Sequence, residues 1–475
     1  FEGASTYVLT VGQSLVANSE PRLSMLHDFV SGEAVVRMRD SGKNTGPAPA
    51  SLDALSRDMG VSVKAGFQPR EMLMGLHPRP PFAAFSQGSP ATGAASLYGG
   101  LFDQQGEAFR EKLRTVATVK RLRRRADVKS ADLNYRRTLL REPNDEFYRL
   151  QWHYPQISLP QAWDLTVGSP DVVVAVVDSG VIVSHPDLAG KLLPGYDFIS
   201  NPSESLDGDG IDPDPDDPGD PLDFSSFHGT HVAGTIGAAT NNGRGVAGVS
   251  WGSALLPLRA LTDAGGTTFD IIQAVRYAAG VSNNSNTLPQ RPADVINLSI
   301  GGGGFSSAEQ QLYNEVRSRG IIVVAAAGNE GSSLLSYPAS YDGVVSVSAV
   351  NISRGRASYS NFGSRVDVAA PGGDFSTGDV NGDGFPDAVL STRGDNSEGS
   401  VQPIYDFLQG TSMATPHVAG VAALMKSVNP DLTPAGFDQL LSDGQLTVDL
   451  GTPGRDDFFG HGLIDARRAV VAAGG

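Results

Sequence analysis

The 475-residue chain contains no cysteine, which excludes disulfides, thiol nucleophiles and cysteine-ligated metals together. It has no run approaching the roughly 18 apolar residues that a membrane helix needs, so no membrane partner is expected. Phe1 is not an initiator methionine and no signal-peptide pattern follows it, so the chain is expected to have been trimmed already. Glycine and proline are plentiful, at 57 and 30 residues, a composition of many turns and long surface loops. The length suffices for two or three domains with a substantial core.

Basic charge is scarce overall and unevenly placed. There are 36 Lys and Arg against 52 Asp and Glu, a net charge of −16. Residues 1–145 hold 20 basic and 15 acidic side chains, a net of +5, and the remainder nets −21. Opposite signs on two segments fit an N-terminal module docking on an acidic partner module. The acidic surface argues against nucleic acid as a partner.

Along residues 1–76 lie short apolar runs at Tyr7–Val11 and Ala34–Met38, with helix expected around Leu52–Met59. From His77 to Gly100 the composition turns to Pro, Ala, Gly and Ser, reading as a loop insertion. A basic helix over Glu107–Arg125, a short strand over Asp127–Tyr135 and a polar, arginine-containing linker over Arg136–Asp145 follow. The pattern then alternates. Asp171–Asp178 is a continuous β-branched run, the mark of a strand buried on both faces. Similar runs occupy Leu255–Leu261, Val295–Ile300, Ile321–Ala327 and Val344–Val350, with helices expected at Thr230–Ala239, Phe269–Ala279 and Ser307–Arg319. That order predicts an α/β fold, a mainly parallel sheet with helices on both faces. Its crevice lies beyond the carboxyl ends of the strands, where Asp178, Gly301–Gly304 and Asn329 should share one rim.

Ser412 sits in Gly410-Thr411-Ser412-Met413-Ala414-Thr415-Pro416-His417, ahead of an apolar helix expected from Val418 to Met425. A hydroxyl at a helix N-terminus lies beside free N–H groups and the positive dipole end, although Ser before a helix is commonly just a cap. Acyl transfer by serine also needs a base, a carboxylate to orient it and oxyanion donors. His228 in His228-Gly229-Thr230-His231, Asp178 in Val177-Asp178-Ser179-Gly180, and Asn329 in Ala327-Gly328-Asn329-Glu330 supply those residue types. Singly, each has a plain reading as a cap or turn former. Jointly and in this order they are hard to dismiss.

On these four motifs, residues 142–475 resemble a subtilase, a subtilisin-like serine protease. The order Asp, His, Ser is the one associated with subtilisin. The resemblance implies Ser412 as nucleophile, His228 as general base and acid, Asp178 as its orienter and Asn329 as oxyanion donor. It implies a subtilisin-like three-layer domain and a peptide that adds as a strand along Ser299-Ile300-Gly301-Gly302 and along Leu261 to Gly266, Gly265 included. Ala326 and Gly328 would line the pocket before the scissile bond, where small walls imply large apolar side chains and Glu330 could admit basic ones. Gly460–Ala466 resembles the family's closing segment, and His231 and His417 read as structural. Residues 1–141 then resemble a propeptide, a small α+β domain acting as chaperone and inhibitor, with autoprocessing within Tyr135–Arg141.

Two acidic stretches concern metals. Asp379-Val380-Asn381-Gly382-Asp383-Gly384-Phe385-Pro386-Asp387 reproduces the start of an EF-hand loop, with oxygen ligands at alternate positions, Phe385 at the seventh and glycine at the sixth. The twelfth position is Leu390 rather than Glu, so a helix-less loop holding a structural Ca2+ is expected. Asp207–Asp217 could bind a cation weakly but reads first as a solvated acidic loop. The family's calcium site near the mature N-terminus would map to Asp187, Asn242 and Asp145. The expectation is a secreted, monomeric, calcium-stabilised endopeptidase with protein or peptide substrates and its own propeptide as inhibitor. A processing protease with one target, or a catalytically silent calcium-binding relative, are the alternatives.

Overall fold

A computed structural model describes residues 29–39, 56–68, 71–76, 107–135, 142–219, 227–262 and 265–474. The readings at 7–11, at 77–100 and at 136–141 lie outside the described residues. The chain divides between Thr138 and Leu139 into two compact units.

The first unit is a four-stranded antiparallel sheet in the order β2-β3-β1-β4: β1 Phe29–Met38, β2 Val61–Gln68, β3 Glu71–Leu76 and β4 Val128–Tyr135. Helix α1, Glu107–Arg123, covers one face. Period two in β1 turns Ala34, Val36 and Met38 inward, where they meet Val116, Val119 and Leu122 at the helical spacing of three. This antiparallel sheet with one covering helix is compatible with a propeptide domain.

The second unit is built on a nine-stranded sheet in the order β14-β15-β11-β10-β9-β8-β5-β7-β6. The strands are β5 Val173–Asp178, β6 Tyr196–Asp197, β7 Ala254–Arg259, β8 Val295–Leu298, β9 Ile322–Ala326, β10 Val345–Val350, β11 Val368–Pro371, β14 Thr447–Val448 and β15 Leu463–Ile464. All neighbours are parallel except the edge pair β14 and β15. Between β11 and the sheet's closing strands, β12 Val389–Asp395 and β13 Gln402–Leu408 form a separate antiparallel hairpin.

The alternation of β5 shows why both faces carry helices. Val174 and Val176 pack with α2 (His228–Gly237), α5 (Thr411–Val428) and α7 (Ala466–Gly474). Val173, Ala175 and Val177 pack with α3 (Thr268–Ala278) and α4 (Ser307–Ser318). Every β5 side chain is buried, which is why the strand reads as an unbroken apolar run. Helix α6, Pro434–Ser442, caps the periphery. The direction of strand addition reverses at β5, with β7 on one side and β8 on the other, so the crevice opens at the carboxyl ends of these strands.

Candidate active site

Asp178 is the last residue of β5 and is fully buried. His228 is the first residue of α2, and its Nδ1 lies 2.6 Å from Asp178 Oδ1. The approach depends on Gly229. A Cβ there would stand 2.1 Å from the Gly180 carbonyl oxygen and 3.0 Å from Asp178 Cβ, so any larger residue drives α2 off the strand end. The carboxylate acceptor fixes the tautomer, with the proton on Nδ1 and the Nε2 lone pair free. His228 keeps 22% of its side chain exposed. Burial pulls its pKa down, but the charge and hydrogen bond of Asp178, with Asp217 behind, outweigh that and leave it above the usual 6.5.

The helix carrying Ser412 starts earlier than its apolar run. Helix α5 begins at Thr411, so Ser412 stands in its first turn and Pro416 lies inside it. Helix starts leave backbone N–H groups without intrahelical partners. Here Thr411 N–H donates to Asn329 Oδ1 (2.9 Å), and the Met413 and Ala414 N–H groups donate to the Gly410 carbonyl (3.0 and 3.2 Å). The Ser412 N–H is left without a protein partner among the described residues. Asn329 Oδ1 also accepts from Thr411 Oγ1 (2.9 Å), which in turn accepts from Gly328 N–H (3.2 Å). With the amide oxygen held by two donors, Nδ2 is the end that faces the open side. A Cβ on Gly410 would lie 3.5 Å from Ser412 N and 3.7 Å from Asn329 Nδ2, within the space the two donors share. Glycine keeps that space open.

Pro416 cannot donate to the Ser412 carbonyl as a helix residue at that position otherwise would. Ser299, just beyond β8, supplies the missing donor: its Oγ donates to Ser412 O at 2.8 Å and accepts from Asn297 Nδ2 at 3.0 Å. The Ser412 hydroxyl returns the contact, donating to the Ser299 carbonyl at 3.1 Å. No hydrogen bond joins Ser412 Oγ to His228 in this state.

Of the expected substrate-binding segments, Gly302 is paired in both directions with Tyr337, which leaves Ile300 and Gly301 as the stretch whose backbone can meet an added strand. Leu261 N–H donates to the Asp178 carbonyl, and Thr262 and Gly265 bond each other in both directions, so these described residues of the second segment already spend their backbone groups within the protein. Ser336 stands opposite Gly301, its Oγ 2.6 Å from where a Cβ would be. The Ala326 carbonyl lies 3.9 Å from the same point, and both Ala326 and Gly328 are buried. Glu330 Oε2 accepts from Asn361 Nδ2 (2.6 Å), which also donates to the Ala327 carbonyl. Asn361 Oδ1 accepts from the Glu330 and Ser332 N–H groups, so this one side chain shapes the loop after Asn329. His231 and His417 are buried and bond the Val389 and Met413 carbonyls, and burial pushes their pKa values down to about 3 and about 4. They are neutral packing groups.

The two acidic stretches differ from each other in an unexpected way. In Asp379–Asp387, Asp379 accepts three N–H groups of its own loop, from Gly382, Asp383 and Gly384, and Asn381 Nδ2 donates to Asp383. Asp387 is 1% exposed, and its Oδ1 has no partner. Asp207, Asp209 and Asp212, in the loop expected to be merely solvated, bring carboxylate oxygens within 4.8 Å of one another. That loop is anchored by Arg259, buried beside Asp178 in the sheet, which bonds Asp197, Asp207 and the Ser205 carbonyl. Asp187 is buried and accepts from Asn242 Nδ2 (2.8 Å) and Val246 N–H (2.9 Å), while Asn242 Oδ1 accepts from Arg244 N–H. Protein donors thus hold these three oxygens. Asp145 accepts from Asn241 N–H.

A family model described as the subtilase family matches residues 169–462. The chain is 40% identical over 355 residues to the extracellular basic protease of Dichelobacter nodosus, covering 70% of this chain and 56% of that protein. Thermitase of Thermoactinomyces vulgaris is 38% identical over 288 residues, covering 60% of this chain and 85% of its own length. A solved structure of proteases from Pseudoalteromonas arctica is 44% identical, covers 70% of this chain and 99% of that one, and superposes with a TM-score of 0.63. The chain thus spans little more than half the length of the Dichelobacter relative, and 57% of an extracellular protease of Xanthomonas campestris.

The geometry makes Ser412 the expected target of a fluorophosphonate, whose phosphoryl oxygen would sit between Ser412 N–H and Asn329 Nδ2. Labelling should slow by about 10²–10³ in Asn329→Leu. An unchanged labelling rate would remove Asn329 from the donor pair.

Proposed function

The chain belongs to the subtilase family, and we propose that it is a serine endopeptidase working through an acyl-enzyme. The observation that carries this reading is the 2.6 Å bond from buried Asp178 to His228 Nδ1, at the start of a helix packed on the 18-residue helix whose first turn leaves the Ser412 N–H unspent. In the reaction, Ser412 Oγ leaves the Ser299 carbonyl and bonds the scissile carbon as His228 Nε2 takes its proton. The carbonyl π electrons move onto oxygen, which Ser412 N–H and Asn329 Nδ2 receive. Collapse breaks the C–N bond, and His228 gives its proton to the leaving amine. Water then repeats the sequence on the acyl-serine and frees the acid. Asp178 keeps its charge throughout and holds the imidazolium in line.

Substrates are proteins and peptides. The pocket before the scissile bond, walled by Gly301, Ala326 and Gly328 with Ser336 opposite, favours large apolar side chains. The N-terminal unit serves as a propeptide, removed by the enzyme itself near Tyr135–Arg141, and the mature protein works as a monomer outside the cell. Relatives named as extracellular proteases support that location, and no described helix is long and apolar enough to cross a membrane. A structural calcium is assigned to the Asp379–Asp387 loop. Its alternating oxygens, the positive φ of Gly382 and Gly384, and the buried, unpartnered Asp387 Oδ1 suit a hard cation. The ion would tie that loop to the hairpin that follows it.

The base must be neutral to accept the serine proton, and the neighbouring carboxylates raise its pKa. Activity should therefore be lost as pH falls, with the acidic limb of kcat/KM on casein-derived peptides centred above pH 6.5. Ser412→Ala should abolish turnover. A limb centred below that value would mean that Asp178 does not govern His228, and an active Ser412→Ala would end the serine mechanism.

Calcium at a hundredfold excess over Kd should stabilise the fold by about 2.7 kcal/mol, so chelation should lower Tm by several degrees. The shift should vanish in Asp387→Asn. A Tm indifferent to chelation would show that the loop holds no structural ion.

A further inference from the structure

The catalytic histidine is gripped from behind by a carboxylate outside the triad. Asp217 is 4% exposed, lies eleven positions before His228 in sequence, and sits at the end of the acidic stretch that reads from sequence as a solvated loop. Its Oδ1 accepts from Gly219 N–H (2.9 Å), and its Oδ2 accepts from Phe227 N–H (3.0 Å) and from Ser179 Oγ (2.7 Å). Ser179 Oγ in turn accepts from Gly229 N–H (3.0 Å), and Ser179 N–H donates to Asp178 Oδ1 (2.8 Å). The residues on both sides of His228, Phe227 and Gly229, are therefore tied to one carboxylate, the first directly and the second through a hydroxyl that follows the triad aspartate in sequence. With the bond between His228 Nδ1 and Asp178 Oδ1, these links close a ring: Asp178, Ser179, Asp217, Phe227, His228 and back to Asp178.

Two features say that the ring does more than tie down a loop. Phe227 stands at φ +61°, a left-handed conformation costly for a bulky residue, directly before His228. Its N–H bond to Asp217 and its full burial hold it there. The ring also places a second negative charge near the imidazole, in a setting that excludes most water. Burial raises the Asp217 pKa to about 6, against its hydrogen bonds from Ser179, Gly219 and Phe227 and the charge of Arg259. A buried carboxylate carries a desolvation cost that an uncharged residue avoids. Using it to bond the flanks of one histidine fixes that histidine's ring in a way that burial alone does not.

We propose that Asp217 is a positioning residue of the catalytic site, acting through Ser179 and the Phe227 amide to hold His228 in register with Asp178 and Ser412. The proposal rests on the reading of those three residues as the triad. Asp217 touches neither the substrate nor the reacting atoms.

The test compares the full chain with Asp217→Asn and with Ser179→Ala, after processing in calcium, by steady-state hydrolysis of a peptide substrate across pH. Asn at 217 keeps the size but loses the charge and one acceptor. Its kcat should fall about ten- to hundredfold, the range felt when a group that orients a reactive ligand from behind is removed, while KM stays close to the parent value. The acidic limb of kcat/KM should move to lower pH, because one of the two negative charges that raise the His228 pKa is gone. A moved limb beside a parental kcat would show a charge effect without positioning and would overturn the proposal. Ser179→Ala removes only the link to Gly229, so it should lower kcat less and leave the limb in place. It also decides the matter if Asp217→Asn does not fold, since parental kcat in Ser179→Ala would then overturn the proposal. A folded Asp217→Asn with parental kcat and an unmoved limb overturns it as well. An inactive parent chain would sink the catalytic reading and this proposal with it, whereas an active parent beside an unaffected Asp217→Asn sinks this proposal alone.

Discussion

The structure turns on one short contact, the 2.6 Å bond between a carboxylate at a strand end and an imidazole at a helix start. Two backbone elements must converge for it to exist. Strand β5 brings Asp178 to the rim because the sheet reverses its order of addition there, and α2 brings His228 because Gly229 lets the helix close on the Gly180 carbonyl. Burial of Asp178 strengthens the contact by removing competing water.

The second half of the site is solved by a different device. A helix start normally spends its N–H groups on caps, and α5 spends all but one. The cap on Thr411 is Asn329 itself, so the same bond that satisfies the helix also orients the amide that would receive an oxyanion. Pro416 opens a gap in the helical hydrogen bonding behind Ser412, and Ser299 fills it from the neighbouring strand end. Ser412, Asn329 and the end of β8 are thus coupled through hydrogen bonds rather than packed separately.

Much of this was legible in the residues. The β-branched runs marked the strands because their side chains are buried on both faces, and the three carboxyl-end residues Asp178, Gly301 and Asn329 follow strands of one parallel sheet. The start of α5 was harder to read. Thr411–His417 lacks a periodic apolar stripe and contains a proline, yet tertiary packing on five strands makes it helical from Thr411. The roles of Thr411, Asn361, Ser179 and Asp217 were not legible because each acts across the fold: Thr411 on a loop 82 residues away, Asn361 on one 31 away, Asp217 on a serine 38 away. No local spacing encodes such pairs. The acidic stretch over Asp207–Asp217 looked solvated because the cation that anchors it, Arg259, comes from β7, a distant strand.

The proposed mechanism has one serine on α5, activated by His228, cutting peptide bonds, the chain's own among them. Intact mass followed over time in calcium, for the parent chain and for Ser412→Ala, puts this to the test. The parent should lose about 15 kDa, in proportion to the 49.6 kDa of the whole chain and a unit of roughly 140 residues, and Ser412→Ala should stay whole. A parent that stays whole, or a variant that is cut at the same rate in the absence of any other protease, would contradict it.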